Sequence, residues 1–270
     1  VKTPPAARDL VIGVAAVIAL SRFAPEPFVW PVAALLFAAT AVGALQVFAD
    51  ANPAAEAAGI PIESVVLPGL AAGAGSLAIR MAPLDVVLAG AVVVVGAIVL
   101  VTLGTEARLV RSSGPPSSAD RTAVGVQLLV VGFLAFAGVA DLLPGVAVGS
   151  DGAGAGRADP IVLVALAGLD ALVGMLLGYR AAALRSTNLR DVLSFAVGAG
   201  MVMAIAALAL HSIELPRLIG PALLVLVFFL WDAIHGGRPG RRRDRRPIWE
   251  MAFLVVVAVA VVAWSFGTRS

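Results

Sequence analysis

Pro221-Ala222-Leu223-Leu224-Val225-Leu226-Val227-Phe228-Phe229-Leu230-Trp231-Asp232-Ala233-Ile234 is followed within two residues by Gly236-Gly237-Arg238-Pro239-Gly240-Arg241-Arg242-Arg243-Asp244-Arg245-Arg246-Pro247, and then by a second apolar run, 248–266. The basic stretch holds six of the nineteen Lys and Arg residues. Its Gly and Pro residues stop a helix from running through, and like charges this dense repel one another in a compact arrangement. Two apolar runs separated by a short arginine-rich loop read as two membrane spans with a cytoplasmic connection. The rest of the chain follows the same alternation.

Of the 270 residues, 60% are hydrophobic and 13% charged, and the mean hydropathy is +1.01. A water-soluble domain needs more charge than this to coat its surface. The net charge is only +2. The arginines sit in a few loops, a pattern that suits anionic lipid headgroups and not nucleic acid. There is no cysteine, so disulfides, thiolate metal sites and iron–sulfur clusters are excluded. The one lysine, Lys2, lies outside every apolar run, which excludes a Schiff-base cofactor within the bundle. No cofactor is expected. The excess of arginine over lysine suggests a GC-rich bacterial source.

With roughly 20 residues per crossing, the chain divides into nine apolar spans: 10–24, 28–49, 61–79, 84–104, 122–143, 160–179, 190–211, 216–235 and 248–266. The expected fold is an all-α polytopic bundle, a single integral membrane domain over 1–270. The first span is the weakest, because Arg22 and Pro25 cut it short. Its alternative reading is a signal peptide, with Lys2 and Arg8 ahead of the apolar core and a small-residue cleavage site near Val17-Ile18-Ala19.

Placing the arginine loop inside puts Lys2, Arg8, Arg108, Arg111, Arg121, Arg180, Arg185, Arg190 and the loop's six arginines on the cytoplasmic side, fourteen in all. Arg22, Arg80, Arg157, Arg217 and Arg269 fall outside. The expected location is therefore a bacterial inner membrane, with the amino terminus cytoplasmic and the carboxyl terminus extracytoplasmic. Trp30, Trp231, Trp249 and Trp264 lie near span ends, where indole rings prefer the headgroup level.

Spans one to four resemble spans six to nine in their polar punctuation. Ile62-Glu63 and Pro68 match Ile213-Glu214 and Pro221, while Pro83-Leu84-Asp85 and Gly104-Thr105 match Pro247-Ile248-Trp249-Glu250 and Gly267-Thr268. This spacing suggests a 4+1+4 inverted repeat over 8–110 and 157–268, with 122–143 as the connecting helix, an arrangement common in transporters.

Asp170 is the sharpest chemical signal. It lies near the middle of the sixth span, where a carboxylate costs about 2.5–3.5 kcal/mol on insertion scales. At 100° per residue, Ala167, Asp170, Ala171, Gly174 and Gly178 share one small face, with Leu169, Leu172, Val173 and Leu176 opposite. Ala167, Gly174 and Gly178 are thus expected to pack against a neighbouring helix, with Asp170 turned into the bundle. Such a carboxyl could bind a substrate or ion, relay a proton, or simply hydrogen-bond a neighbour. Gln127 and Asp141 form a second polar arc on the fifth span with Val131, Leu134 and Gly138, and are further binding candidates.

His211 with Glu214 and Asp232 with His235 have metal-ligand spacing, but they lie at opposite ends of spans, close to 30 Å apart. No metal site is expected. Ser212 adjoins His211 and Glu214, but sequence neighbours on a helix do not face one another, so no nucleophilic triad forms.

Three function classes follow, in order of support: a carrier for a small molecule or proton acting through an intramembrane carboxylate, a non-catalytic scaffold or accessory subunit, and a lipid-modifying enzyme. The expected partners are the bilayer, anionic headgroups at Arg241, Arg242, Arg243, Arg245 and Arg246, and a membrane-protein partner or a second copy of the chain. No nucleic-acid partner is expected.

Overall fold

Helix starts are set by capping side chains. Asp85 accepts a hydrogen bond from the Val87 amide at 2.8 Å, Asp159 from Ile161 at 2.9 Å, and Asn188 from Arg190 at 3.2 Å. Ser117 and Asp120 cap reciprocally, each side chain accepting from the other's amide. Each cap stabilises its helix by about 1 kcal/mol and satisfies an amide that lipid cannot.

The computed structural model describes residues 5–51, 59–112, 115–143, 159–186, 188–213, 215 and 217–235. Among these all regular structure is helical. The helices are α1 (Pro5–Ser21), α2 (Val29–Ala51), α3 (Val66–Ala78), α4 (Val86–Arg111), α5 (Ser118–Leu142), α6 (Pro160–Ala183), α7 (Leu189–His211) and α8 (Ile219–His235). Short 3-10 turns flank α3 and extend it to Ile62–Met81. Six of these segments are long and apolar enough to cross a membrane, and α8 is a shorter apolar helix. The protein is a helical membrane bundle. The eight helices fall on the first eight expected spans. The ninth span, the arginine loop with Arg241, Arg242, Arg243, Arg245 and Arg246, and the second half of the suggested repeat beyond His235 lie outside the described residues.

Several boundaries differ from expectation, among them the start of α1 at Pro5 and the end of α6 at Ala183, and two further ones follow from local contacts. The Ser117/Asp120 cap starts α5 at Ser118, ahead of its apolar run. Helix α4 continues to Arg111, well past the apolar run that ends at 104, because Glu106 and Ala107 are buried there.

The chain forms two compact units, Val1–Gly138 and Val139–Ser270. In the first, α3 is the centre, with every residue from Val66 to Leu77 buried. Its small residues, Gly69, Ala71, Ala72, Gly73, Ala74, Gly75 and Ser76, let neighbouring helices close on it from several sides. Its glycines permit close approach: a Cβ at Gly69 would lie 3.0 Å from the Phe37 carbonyl oxygen of α2, and one at Gly73 would lie 3.0 Å from that of Ala33. Arg80 closes one end, with Nη1 donating to the carbonyls of Ser21, Arg22 and Ala24 at 3.4, 3.3 and 2.9 Å. These carbonyls lie at and just beyond the C-terminal end of α1, and that of Ser21 also accepts from the Ala24 amide at 3.1 Å. Arg22 and Arg80, read from sequence as loop charges, thus act at a helix junction.

In the second unit α6 and α7 run antiparallel in close contact. A Cβ at Gly178 would meet Ala199 Cβ at 2.8 Å and Ala196 Cα at 3.2 Å, and one at Gly200 would meet the Ala171 carbonyl oxygen at 2.8 Å. Gly174 sits against Met203 and Ala199. Helix α8 packs on α7, with Trp231 over Gly198.

Solvent preference is inverted in both units. Large apolar side chains face outward along the spans: Val93 is 70% exposed, Ile161 77% and Val164 73%. Thr40, Ser76, Thr102, Thr105, Glu106, Gln127, Asp170 and Arg180 are buried. In hydrocarbon this is the favourable arrangement, because an outward polar group has no partner there.

The α6–α7 contact predicts a graded cost for added atoms. Gly200→Val should lower stability by about 1–3 kcal/mol, since the Ala171 backbone cannot retreat. Gly168→Ala, whose new methyl meets nothing within 4 Å, should leave it unchanged. Thermal midpoints in mild detergent test this, and a Gly200→Val protein as stable as the parent would show that the helices are not in this contact.

Candidate functional site

The buried positions of α6 are Leu166, Asp170, Val173, Gly174, Leu177, Gly178, Arg180, Ala181 and Ala182. Steps of three and four define one inward stripe. The expected face is rotated slightly: Val173 is buried and Ala167 only half-buried. On this buried stripe the Met203 side chain of α7 seats at Gly174.

Asp170 stands ten residues into the 24-residue helix, about 15 Å along its axis. It is 1% exposed, and neither carboxyl oxygen has a hydrogen-bond partner. The register of Gly178 with Ala196 and of Gly174 with Met203 brings Asp170 to the level of Met203 and Ala207, both buried and apolar. A carboxyl so placed can accept a hydrogen bond or a cation, or hold a proton.

Gln127 lies in the first unit and Asp141 in the second, and each has a partner of its own. In the first unit, Gln127 donates from Nε2 to Thr105 Oγ1 at 2.7 Å, and its Oε1 has no partner. Thr105 also receives a long contact from Arg108 Nη2 at 3.5 Å. In the second unit, Asp141 forms an ion pair with Arg217 and does not stand open to solvent.

Two buried charges escaped the sequence reading. Glu106 is fully buried in α4, although the apolar run stops two residues before it. Arg180 was counted as a cytoplasmic loop charge, but it lies within α6 and is 3% exposed. The available signal is spacing: Arg180 follows Asp170, Val173 and Leu177 in steps of three, four and three, on the same buried stripe.

A polar and aromatic cluster closes one end of the second unit. Arg185 Nη2 contacts both Asp232 oxygens at 2.5 Å, and its guanidinium carbon lies 5.8 Å from the Phe195 ring centre. Phe195 and Trp231 are 6.1 Å apart, and Trp231 stacks on His235 at 3.7 Å. Asp232 is therefore engaged by Arg185 and not shared with His235, whose Nδ1 lies 3.2 Å from the Trp231 carbonyl oxygen.

The Gln127–Thr105 hydrogen bond should show up in a double-mutant cycle. Gln127→Leu and Thr105→Val are each expected to destabilise the solubilised protein, with a coupling of about 1 kcal/mol. Strict additivity in reversible unfolding would contradict the pairing.

Residues 161–265 match a family model described as a protein of unknown function (DUF5656). The matched segment is under half of the chain and includes α6 from its second residue, all of α7 and α8, and Asp170. No curated protein and no solved structure matches the chain.

Proposed function

We propose that this helical membrane protein is a carrier for a small molecule or proton, with the Asp170 carboxyl as the group that binds or passes the moving species. The observation behind this reading is the combination of full burial and two unpartnered carboxyl oxygens in an apolar helix pair. A carboxyl retained to join helices spends its oxygens on neighbouring donors, as Asp232 does on Arg185. A buried acceptor left without one is costly and calls for a ligand, ion or proton. Intramembrane carboxyls of this kind mark ion and substrate paths.

The proposed setting is a bacterial inner membrane with a cytoplasmic amino terminus and an extracytoplasmic carboxyl terminus. Moving the buried Arg180 out of the count of loop charges leaves thirteen basic residues against five, so the bias still favours this orientation.

Proton flux into proteoliposomes, followed with an internal pH dye under a potassium diffusion potential, tests the carrier reading. The parent protein should exceed protein-free vesicles, and Asp170→Asn should cut the flux roughly tenfold or more while inserting normally. Equal flux in the two proteins removes Asp170 from the path. A parent protein without flux that leaves the membrane with a stable companion subunit would favour the accessory-subunit reading instead. Because the chain has no cysteine, Ser112→Cys and Ser212→Cys, both at exposed positions, report orientation directly. The first should label from the cytoplasm and the second from outside; labelling of both from one side contradicts the topology.

A further inference from the structure

The Arg185 cluster contains two donors that nothing satisfies. Arg185 Nη1 and Trp231 Nε1 are both buried and without a hydrogen-bond partner. Both groups are donors only, so the site asks for an acceptor. The Asp232 oxygens are both engaged by Nη2. Asp232 and Phe195 hold the guanidinium in place, and the His235 stack and Gly198 hold the indole. The two donors are thus fixed before any ligand arrives, and the cluster borders the surface, since Arg185 and Asp232 remain 27% and 26% exposed.

The surroundings favour an anion. The Arg185–Asp232 pair is neutral in sum. The amino-terminal end of the 23-residue α7 opens beside it, bearing exposed Arg190, with Asp191 as the one opposing charge in that turn. Guanidinium groups match phosphate oxygens in geometry, and Trp and Arg at a span end stand where lipid phosphates lie.

We propose that Arg185 Nη1 and Trp231 Nε1 are donors to the phosphate oxygens of an anionic phospholipid headgroup at this end of the second unit. The site is independent of Asp170 and of the carrier reading. It differs from diffuse attraction to the arginine-rich stretch because it depends on an uncharged N–H.

The test uses the full chain in mild detergent with phosphatidylglycerol, diacylglycerol as the phosphate-free control, or inorganic phosphate, and reads retention by native mass spectrometry after a high-salt wash. Trp231→Phe removes the N–H but keeps every charge and the aromatic ring. It should weaken phosphatidylglycerol binding about tenfold, with the thermal midpoint unchanged. Arg185→Gln combined with Asp232→Asn, which removes both charges together, should weaken it comparably. Inorganic phosphate that binds the parent and is lost in Trp231→Phe, without retention of phosphatidylglycerol, would keep the phosphate site but overturn its lipid source. Binding of phosphatidylglycerol and phosphate that is indifferent to Trp231→Phe, or no preference for phosphatidylglycerol over diacylglycerol, overturns the proposal.

Discussion

The constraint that organises this protein is that hydrocarbon offers no hydrogen bonds. Every backbone amide along a span must find its carbonyl within the same helix, and every polar side chain must turn inward or reach an end. Unpaired groups are therefore met at the ends, by Asp85, Asp159, Asn188 and the Ser117/Asp120 pair at helix starts, and by Arg80 at the close of α1. The buried sides of the helices are mostly apolar but also enclose threonine, glutamine, glutamate, aspartate and arginine, while large apolar side chains face outward.

Once lipid has removed the usual hydrophobic drive for helix association, contact depends on how closely backbones approach. Both units meet this need with glycine. Gly69 and Gly73 seat α3 on the backbone of α2, and Gly174, Gly178 and Gly200 seat α6 on α7. The second contact fixes the face of α6 that carries Asp170. A rotation of α6 that turned Asp170 to lipid would also unseat Gly174 and Gly178.

The buried polar groups differ in how they are satisfied. Gln127 has one partner and one open acceptor, Asp141 is paired with Arg217, and Asp232 is paired with Arg185. Asp170 has both oxygens open. Carboxyls engaged by arginine tie helix ends together; one with no engagement, halfway along a span, contributes nothing to packing that an apolar side chain would not supply better. The same contrast separates Arg185 Nη2, which is occupied, from Nη1, which is not.

The sequence by itself determined the class of fold and the places of the eight described helices, because a membrane span is a local property: about 20 apolar residues in a row. It also limited Asp170 to the small-residue side of its helix, because helical periodicity is local too. Which residues meet across helices is not local. The pairing of Asp141 with Arg217 joins residues 76 apart, and that of Arg185 with Asp232 joins residues 47 apart; no window of sequence contains either pair. Glu106 and Arg180 lay at the edges of apolar runs, where composition alone reads a charge as solvated, and only the packing of whole helices decided that both are enclosed. The small rotation that buries Val173 and leaves Ala167 half-buried was likewise decided by tertiary structure, because it depends on how α6 seats on the neighbouring helix.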